Sequence, residues 1–366
     1  MIYFLFAITI LFLVLAEKQK VIPSRMTFQL CAVIILVLFA FRGIDVGGDT
    51  KEYVAFFLGK GSSYGSLEDN TLEFGFNLYV KVMRLISDSA FGFIFSTAFI
   101  SLFPFFLFVR KSKTTRSLPY LYILCFISFT VCIETNLRQN IAVSAFLLAI
   151  YIYMYTKRSK LLIVLCVVLT TVALMGHNSN FIVIPIFLLL CSIKFPLKVS
   201  VFLMAFSYVT SIISYEYLSD LFSVLNIIFT DSTILDHYST YGTNGFYEIE
   251  ETSSFNFFTL SLTLWPIMNI LACEPKERDN IFMKCMVVSC VIYNFFSPFP
   301  IAFRMIYLFQ YLSLCYVPRK MWNNNIFFCL NLLLILSWLR VLLTTTLDVA
   351  SQNPDAHMFP YNFIWE

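Results

Sequence analysis

Arg42, Arg138, Arg304 and Arg340 fall in or beside long apolar runs, where a charge is expensive. On insertion scales an arginine at membrane depth costs about 2.5–3.5 kcal/mol, so each one needs a partner or a wet cavity. The guanidinium is a planar fork that meets phosphate oxygens in pairs. Several such groups at one depth would form an anion site of the kind a lipid pyrophosphate fills. The blander reading has each arginine snorkelling to headgroups, or pairing with Glu134, Asp45 or Asp348.

His177 stands in Gly176-His177-Asn178-Ser179, at the end of another apolar run. An imidazole titrates near neutral pH and can take a proton from a hydroxyl. It can equally serve as a hydrogen-bonding residue at a helix end. Asp49 is the second candidate base. It lies in the densest polar cluster, Arg42-Gly43-Ile44-Asp45-Val46-Gly47-Gly48-Asp49-Thr50-Lys51-Glu52-Tyr53. The glycines there allow tight turns, and Asp49 can cap a following helix. Asp45 and Asp49 could position an acceptor hydroxyl or orient an arginine. Two aspartates are too thin a set for a metal. Tyr238 and Tyr241 lie among other aromatics and Asp231, Asp236, Glu248, Glu250 and Glu251. Aromatic faces beside carboxylates suit sugar rings, and interfacial tyrosines would look the same.

The elements that must hold these residues follow from composition. The chain has 366 residues, 59% hydrophobic and 13% charged, with mean hydropathy +0.79. Soluble domains run near 45–50% apolar and about 25% charged. That difference excludes a water-soluble enzyme, a disordered chain and a nucleic-acid partner bound to a basic face. Apolar runs long enough to span recur near 1–16, 27–42, 91–109, 118–135, 138–156, 161–176, 179–193, 199–215, 255–273, 282–298, 300–317 and 326–346. The strict alternation of a β-barrel is missing. The expected fold is therefore an all-α polytopic membrane protein with about twelve transmembrane helices, one integral domain over 1–366. Two long extracytoplasmic loops, 43–90 and 216–254, interrupt it. Segment 72–88 is amphipathic and reads as an interfacial helix within the first loop. The ten cysteines include no CxxC and read as small core residues.

Charge fixes the expected orientation. Most basic residues sit in six short loops, around Lys18, Arg110, Lys157, Lys194, Lys276 and Arg319, which alternate with the remaining loops. By the positive-inside rule the six are cytoplasmic. The long loops, the costly arginines and His177 then face outward.

The order of short motifs carries a family resemblance. Arg42…Gly47-x-Asp49-Thr50-x-x-Tyr53 is followed by Glu73-Phe74-Gly75-Phe76 and Leu137-Arg138-Gln139-x-Ile141-Ala142. His177-x-Ser179, Arg304 and Pro360-Tyr361 come after them. This order resembles the EpsG-like bacterial polysaccharide polymerases, which are related in role to the Wzy O-antigen polymerases. Gly176 departs from the pattern where a bulky residue is expected. Asn180 and Asn140 depart where small residues are expected.

The resemblance implies a GT-C-like membrane glycosyltransferase in the bacterial inner membrane that works without cofactor or metal. Donor and acceptor would both be oligosaccharides on undecaprenyl pyrophosphate, with membrane lipid and a chain-length regulator as further partners. The acceptor hydroxyl attacks the donor's anomeric carbon and undecaprenyl pyrophosphate leaves. Arg138 and Arg304 would stabilise that leaving group, supported by Arg42 and Arg340. His177 or Asp49 would take the proton, and Glu134 would lie near the oxocarbenium-like centre. Asp45, Tyr53, Gln139, Tyr238 and Tyr241 would contact substrate. A lipid-linked oligosaccharide flippase or a membrane O-acyltransferase are the competing readings.

Overall fold

The computed structural model describes residues 2–47, 49–65, 72–126, 136–157, 159–213, 257–296 and 300–352. Among them the regular elements are helices. They are α1 (Ile2–Lys18), α2 (Ser24–Ala40), α3 (Thr50–Leu58), α4 (Phe74–Ile86), α5 (Ala90–Arg110), α6 (Leu118–Cys125), α7 (Leu137–Tyr155) and α8 (Lys160–Gly176). There follow α9 (Asn180–Ser192), α10 (Leu197–Ile213), α11 (Phe257–Leu271), α12 (Ile281–Phe296), α13 (Pro300–Leu314), α14 (Arg319–Asn323) and α15 (Asn325–Gln352). Among the described residues each of the twelve apolar runs holds one helix, and α3, α4 and α14 are additional. By length and composition α5 with 21 residues and α7 with 19 are long and apolar enough to cross a bilayer by themselves, and the other apolar stretches, such as Asn325–Arg340 of α15, are shorter. The loop expected over 216–254 lies outside the described residues.

The outer surface of α8, α9 and α10 shows why water is the wrong solvent. Leu161, Val164, Val167, Phe181, Leu188, Leu189, Phe202 and Phe206 are all exposed on these three consecutive helices. Soluble monomers rarely show contiguous apolar patches beyond about 300–600 Å². In hydrocarbon such a wall costs nothing.

The interior is large and aromatic. Trp338 is fully buried, packs edge-on against Trp265 at 5.6 Å and donates its indole N–H to Ser261 Oγ at 2.8 Å. At Pro104 the α5 ladder is interrupted, since proline has no N–H and its ring clashes with the preceding turn. The Tyr311 hydroxyl of α13 occupies the break. It accepts from the Phe105 N–H at 3.1 Å and donates to the Ser101 carbonyl. An inserted side chain of this kind is a recognised cause of helix bending.

The six basic loops meet at one end. Glu17 accepts from Thr115 Oγ1, the Arg116 N–H and the Ser117 N–H at 3.1, 3.1 and 3.0 Å. Lys18 donates to the Trp322 carbonyl and lies 4.9 Å from the Phe328 ring. Lys111 lies over Tyr155, and Lys284 reaches Asp279 at 3.0 Å and the Cys191 carbonyl at 3.4 Å. Tyr316 donates to Glu277 at 2.9 Å. These contacts join all six segments, as the alternation of charge requires.

At the opposite end, α3 and α4 build a second, smaller core. Tyr53, Val54, Phe56, Phe57, Phe76, Val80 and Met83 pack with Phe93 and Ile94 of α5 and Leu137 of α7. The first long loop is thus a folded cap. Gly47 adopts φ 94° in the turn before α3, a conformation L side chains rarely take. Arg84 of α4 closes the far end of α3 by donating to the Phe57 and Phe56 carbonyls at 2.6 and 2.9 Å. Tyr79 ties α4 to α5 through Ser96 and Thr97, both at 2.8 Å. The other face of α4 exposes Phe74, Leu78, Val82, Leu85 and Ile86.

Candidate active site

Arg138 is the second residue of α7, at the end remote from the basic loops. Its Nη1 donates to Glu73 Oε2 at 2.6 Å and its Nε donates to the Tyr53 hydroxyl at 2.8 Å. The guanidinium carbon lies 5.7 Å from the centre of the Tyr53 ring and 5.4 Å from that of Tyr64. Those rings stack on each other at 4.9 Å with planes 17° apart. The arginine is therefore held by one carboxylate and two aromatic rings from the cap. Its side chain is 20% exposed and that of Glu73 16%. Nη2 makes no hydrogen bond among the described residues.

Each partner is fixed by its own element. Glu73 occupies the N-cap position of α4, but its side chain makes no capping bond and goes to Arg138 instead. Asn77, one turn on, donates to the Leu72 carbonyl at 2.8 Å and pins the strand of chain that carries Glu73. Tyr53 lies on the buried face of α3. Tyr64 follows a turn organised by Glu52, whose carboxylate accepts from the Ser63 N–H at 2.7 Å, Ser63 Oγ at 2.8 Å and Ser62 Oγ at 3.2 Å. Those bonds, led by the Ser63 backbone, hold the Glu52 carboxyl below its ordinary range. Burial pushes the Tyr53 phenol up, and the nearby Arg138 charge only partly offsets it. Burial raises Tyr64 likewise. Both hydroxyls are neutral at pH 7.

His177 caps the end of α8 and is buried. Its Nδ1 lies 2.8 Å from Ser179 Oγ and accepts the Ser179 N–H at 3.2 Å. A backbone N–H can only donate, so Nδ1 is the acceptor and the neutral ring carries its proton on Nε2. Gly176, just before it, touches Gly75 of α4 and Ala142 of α7. Arg138 lies four residues before Ala142, one turn away on the same face of α7. His177 and Arg138 are thereby brought to one corner.

The remaining expected residues are distributed as follows. Asp49 precedes α3 and bears electrostatically on Tyr53 and Tyr64, while its side chain makes no capping bond. Gln139 is buried next to Arg138. Arg42 is fully buried after α2 and donates to the Phe39 carbonyl at 2.6 Å. Asp45 instead faces solvent, 3.9 Å from Lys51. Arg304 is in the first turn or so of α13, whose far end reaches the basic loops. Arg340 is exposed on α15, which starts at the basic end and carries it about 22 Å away at 1.5 Å per residue. The four arginines thus share one end of the molecule. Glu134, Tyr238 and Tyr241 lie outside the described residues.

Sequence reasoning missed Glu73 and Tyr64 as site residues. Glu73 was legible only as a charge on an amphipathic segment and as part of a short motif. Tyr64 had no signal beyond its aromatic type. Among the described residues no group of three or more His, Cys, Asp or Glu side chains is arranged to hold a metal.

The model of the EpsG family matches residues 25–363 of the chain. No match is found among curated proteins or among solved structures.

Proposed function

This chain belongs to the EpsG family, and from that premise we propose that it is a multi-pass membrane glycosyltransferase joining undecaprenyl-pyrophosphate-linked oligosaccharide repeat units. The reaction takes place on the extracytoplasmic side of the inner membrane, and the product is an O-antigen, capsule or exopolysaccharide. The observation that carries this reading is Arg138: an arginine at the end of a long apolar helix, opposite the basic loops, clasped by Glu73 and Tyr53 and with Nη2 left to a ligand.

The chemistry asks for little else. The acceptor hydroxyl attacks the donor's anomeric carbon, and the carbon–oxygen bond to pyrophosphate breaks. Charge develops on the departing phosphate oxygens, where a pre-set guanidinium lowers the barrier without having to reorganise. Arg138 fills that role through Nη2, with Arg304 as its partner and Arg42 and Arg340 as supports. Asp49, Gln139 and Tyr53 line the approach, His177 offers an N–H from Nε2, and Tyr238 and Tyr241 stack on sugar. Asp45 acts at the rim. The oxocarbenium-like centre would tolerate a nearby carboxylate such as Glu134. The polyprenyl chains lie in the bilayer, and a chain-length regulator docks alongside.

The test is the surface glycan of a deletion strain. A polymerase defect leaves a single repeat unit on the carrier, and the intact gene restores the ladder. Loss of even the single repeat would instead identify a flippase. Purified protein should also lengthen lipid-linked glycan in detergent, where transport has no meaning.

A further inference from the structure

The geometry points to Glu73 as the general base of the glycosyl transfer, with Arg138 and Tyr53 as its positioning residues. This inference rests on the polymerase reading. A base must combine a fixed position, an open proton-accepting atom and closeness to the leaving group. Glu73 meets each requirement. Oε2 is held by Arg138 at 2.6 Å, which sets the plane of the carboxylate. Oε1 takes no hydrogen bond among the described residues. Its N-cap position would ordinarily turn a side chain back onto the helix, yet this one is turned away. His177 is less suited, because its Nδ1 is occupied by Ser179 and its Nε2 carries the proton.

Arg138 then serves both halves of the reaction. Nη1 and Nη2 are the two ends of one rigid fork. One end holds the base and the other meets the leaving pyrophosphate. Acceptor hydroxyl and leaving pyrophosphate meet at one anomeric carbon, so a base and a phosphate contact carried by the same guanidinium are held close to one reacting centre. The acceptor O–H proton passes to Glu73 Oε1 as the new carbon–oxygen bond forms. The electron pair of the breaking bond leaves with undecaprenyl pyrophosphate, and the proton on Glu73 is then lost to water.

The experiment uses the full-length protein in detergent with lipid-linked repeat unit isolated from the deletion strain. Glu73→Gln keeps the shape and the Arg138 hydrogen bond but cannot take a proton. Its turnover should fall by about 100- to 10,000-fold with an unchanged KM. Glu73→Asp, which keeps the charge, should retain part of the rate. Sodium azide supplies the decisive arm, since the azide anion needs no base. Glu73→Gln with azide should release undecaprenyl pyrophosphate and form a glycosyl azide. A Glu73→Gln enzyme within threefold of wild type would overturn the assignment. So would a dead variant that azide cannot restore, which would make Glu73 a structural partner of Arg138 alone. Wild-type protein that neither lengthens glycan nor releases undecaprenyl pyrophosphate would overturn the polymerase reading itself, and this inference with it.

Discussion

Gly75 and Gly176 meet backbone to backbone, and a Cβ on Gly75 would lie 2.8 Å from both Cα and N of Gly176. Through this contact α4 rests directly on the end of α8. Gly176 in turn faces Ala142, whose Cβ would be 2.8 Å from a Cβ placed on Gly176. Three helices therefore cross with only the Ala142 methyl between them. Glu73 is two residues from the crossing on α4, His177 is one residue from it on α8, and Arg138 is one turn from it on α7. Small residues at a helix crossing let backbones approach closely, and here the approach sets the width of the candidate site.

Gly75→Ala should uncouple the cap. The atoms its Cβ would meet are main-chain atoms, which cannot rotate aside, so α4 must lift from α8. Overpacking of this kind costs about 1–3 kcal/mol. The expected result is a lower unfolding temperature in detergent together with loss of the glycan ladder. Gly176→Ala should act in the same direction through Ala142, and Ala142→Gly should relieve it. A Gly75→Ala protein with wild-type stability and a full ladder would show that the crossing is looser than described.

Tyr53→Phe removes the hydroxyl that accepts from Arg138 Nε at 2.8 Å and keeps the ring stacked on Tyr64. A hydrogen bond to a charged group is worth about 1.5–3 kcal/mol, so kcat/KM should fall by about 10- to 100-fold at normal protein level. Arg138→Ala and Arg304→Ala should each abolish polymerisation while protein level stays normal. Arg138→Lys should rescue poorly, because one ammonium cannot reproduce the fork that reaches Tyr53, Glu73 and a phosphate together. A ladder from the Arg138→Ala strain would remove this residue from the mechanism.

The helices and the placement of the arginines near helix ends were legible because both are written in single-residue costs. An apolar run of about twenty residues has few alternatives, and a charge inside one is conspicuous. Partners were not legible. Glu73 precedes a helix whose exposed face carries Lys81 and Arg84, so its charge reads as solvated until Arg138, 65 residues on, is seen beside it. Gly176 looked out of place against the family pattern because the reason for a glycine there is Gly75, which lies about a hundred residues earlier in the chain. Tyr311, threaded into the break at Pro104, is invisible for the same reason: the hydroxyl and the gap it fills are 206 residues apart.

Arg84→Ala should loosen α3 without touching the reacting groups. The two carbonyls it serves, Phe56 and Phe57, are among the last of the helix, and besides Arg84 the Phe56 carbonyl accepts only a long bond from the Gly59 N–H at 3.3 Å. Arg84 is exposed at the surface, so the loss should be about 1 kcal/mol and local. Hydrogen exchange should quicken for α3 amides and not for those of α7. Uniform acceleration across both helices would mean that the cap and the bundle unfold as one unit.

Acid should open the turn that presents Tyr64. Glu52 has a carboxyl held below its ordinary range by the Ser63 N–H and the hydroxyls of Ser63 and Ser62. Its folded value is lower than its unfolded one, so its stabilising effect is complete above the unfolded carboxylate range near about 4.3 and fades as pH falls through the depressed value. Exchange of the Ser63 amide, corrected for the intrinsic rate at each pH, should therefore show a step of deprotection on acidification below that range. Glu52→Gln should start deprotected at pH 7 and show no step. Tyr64 follows Ser63 directly and stacks on the ring whose hydroxyl holds Arg138, so the same variant should also lower polymerisation at neutral pH. A Glu52→Gln protein that keeps the acid step would place the titrating group elsewhere in the cap.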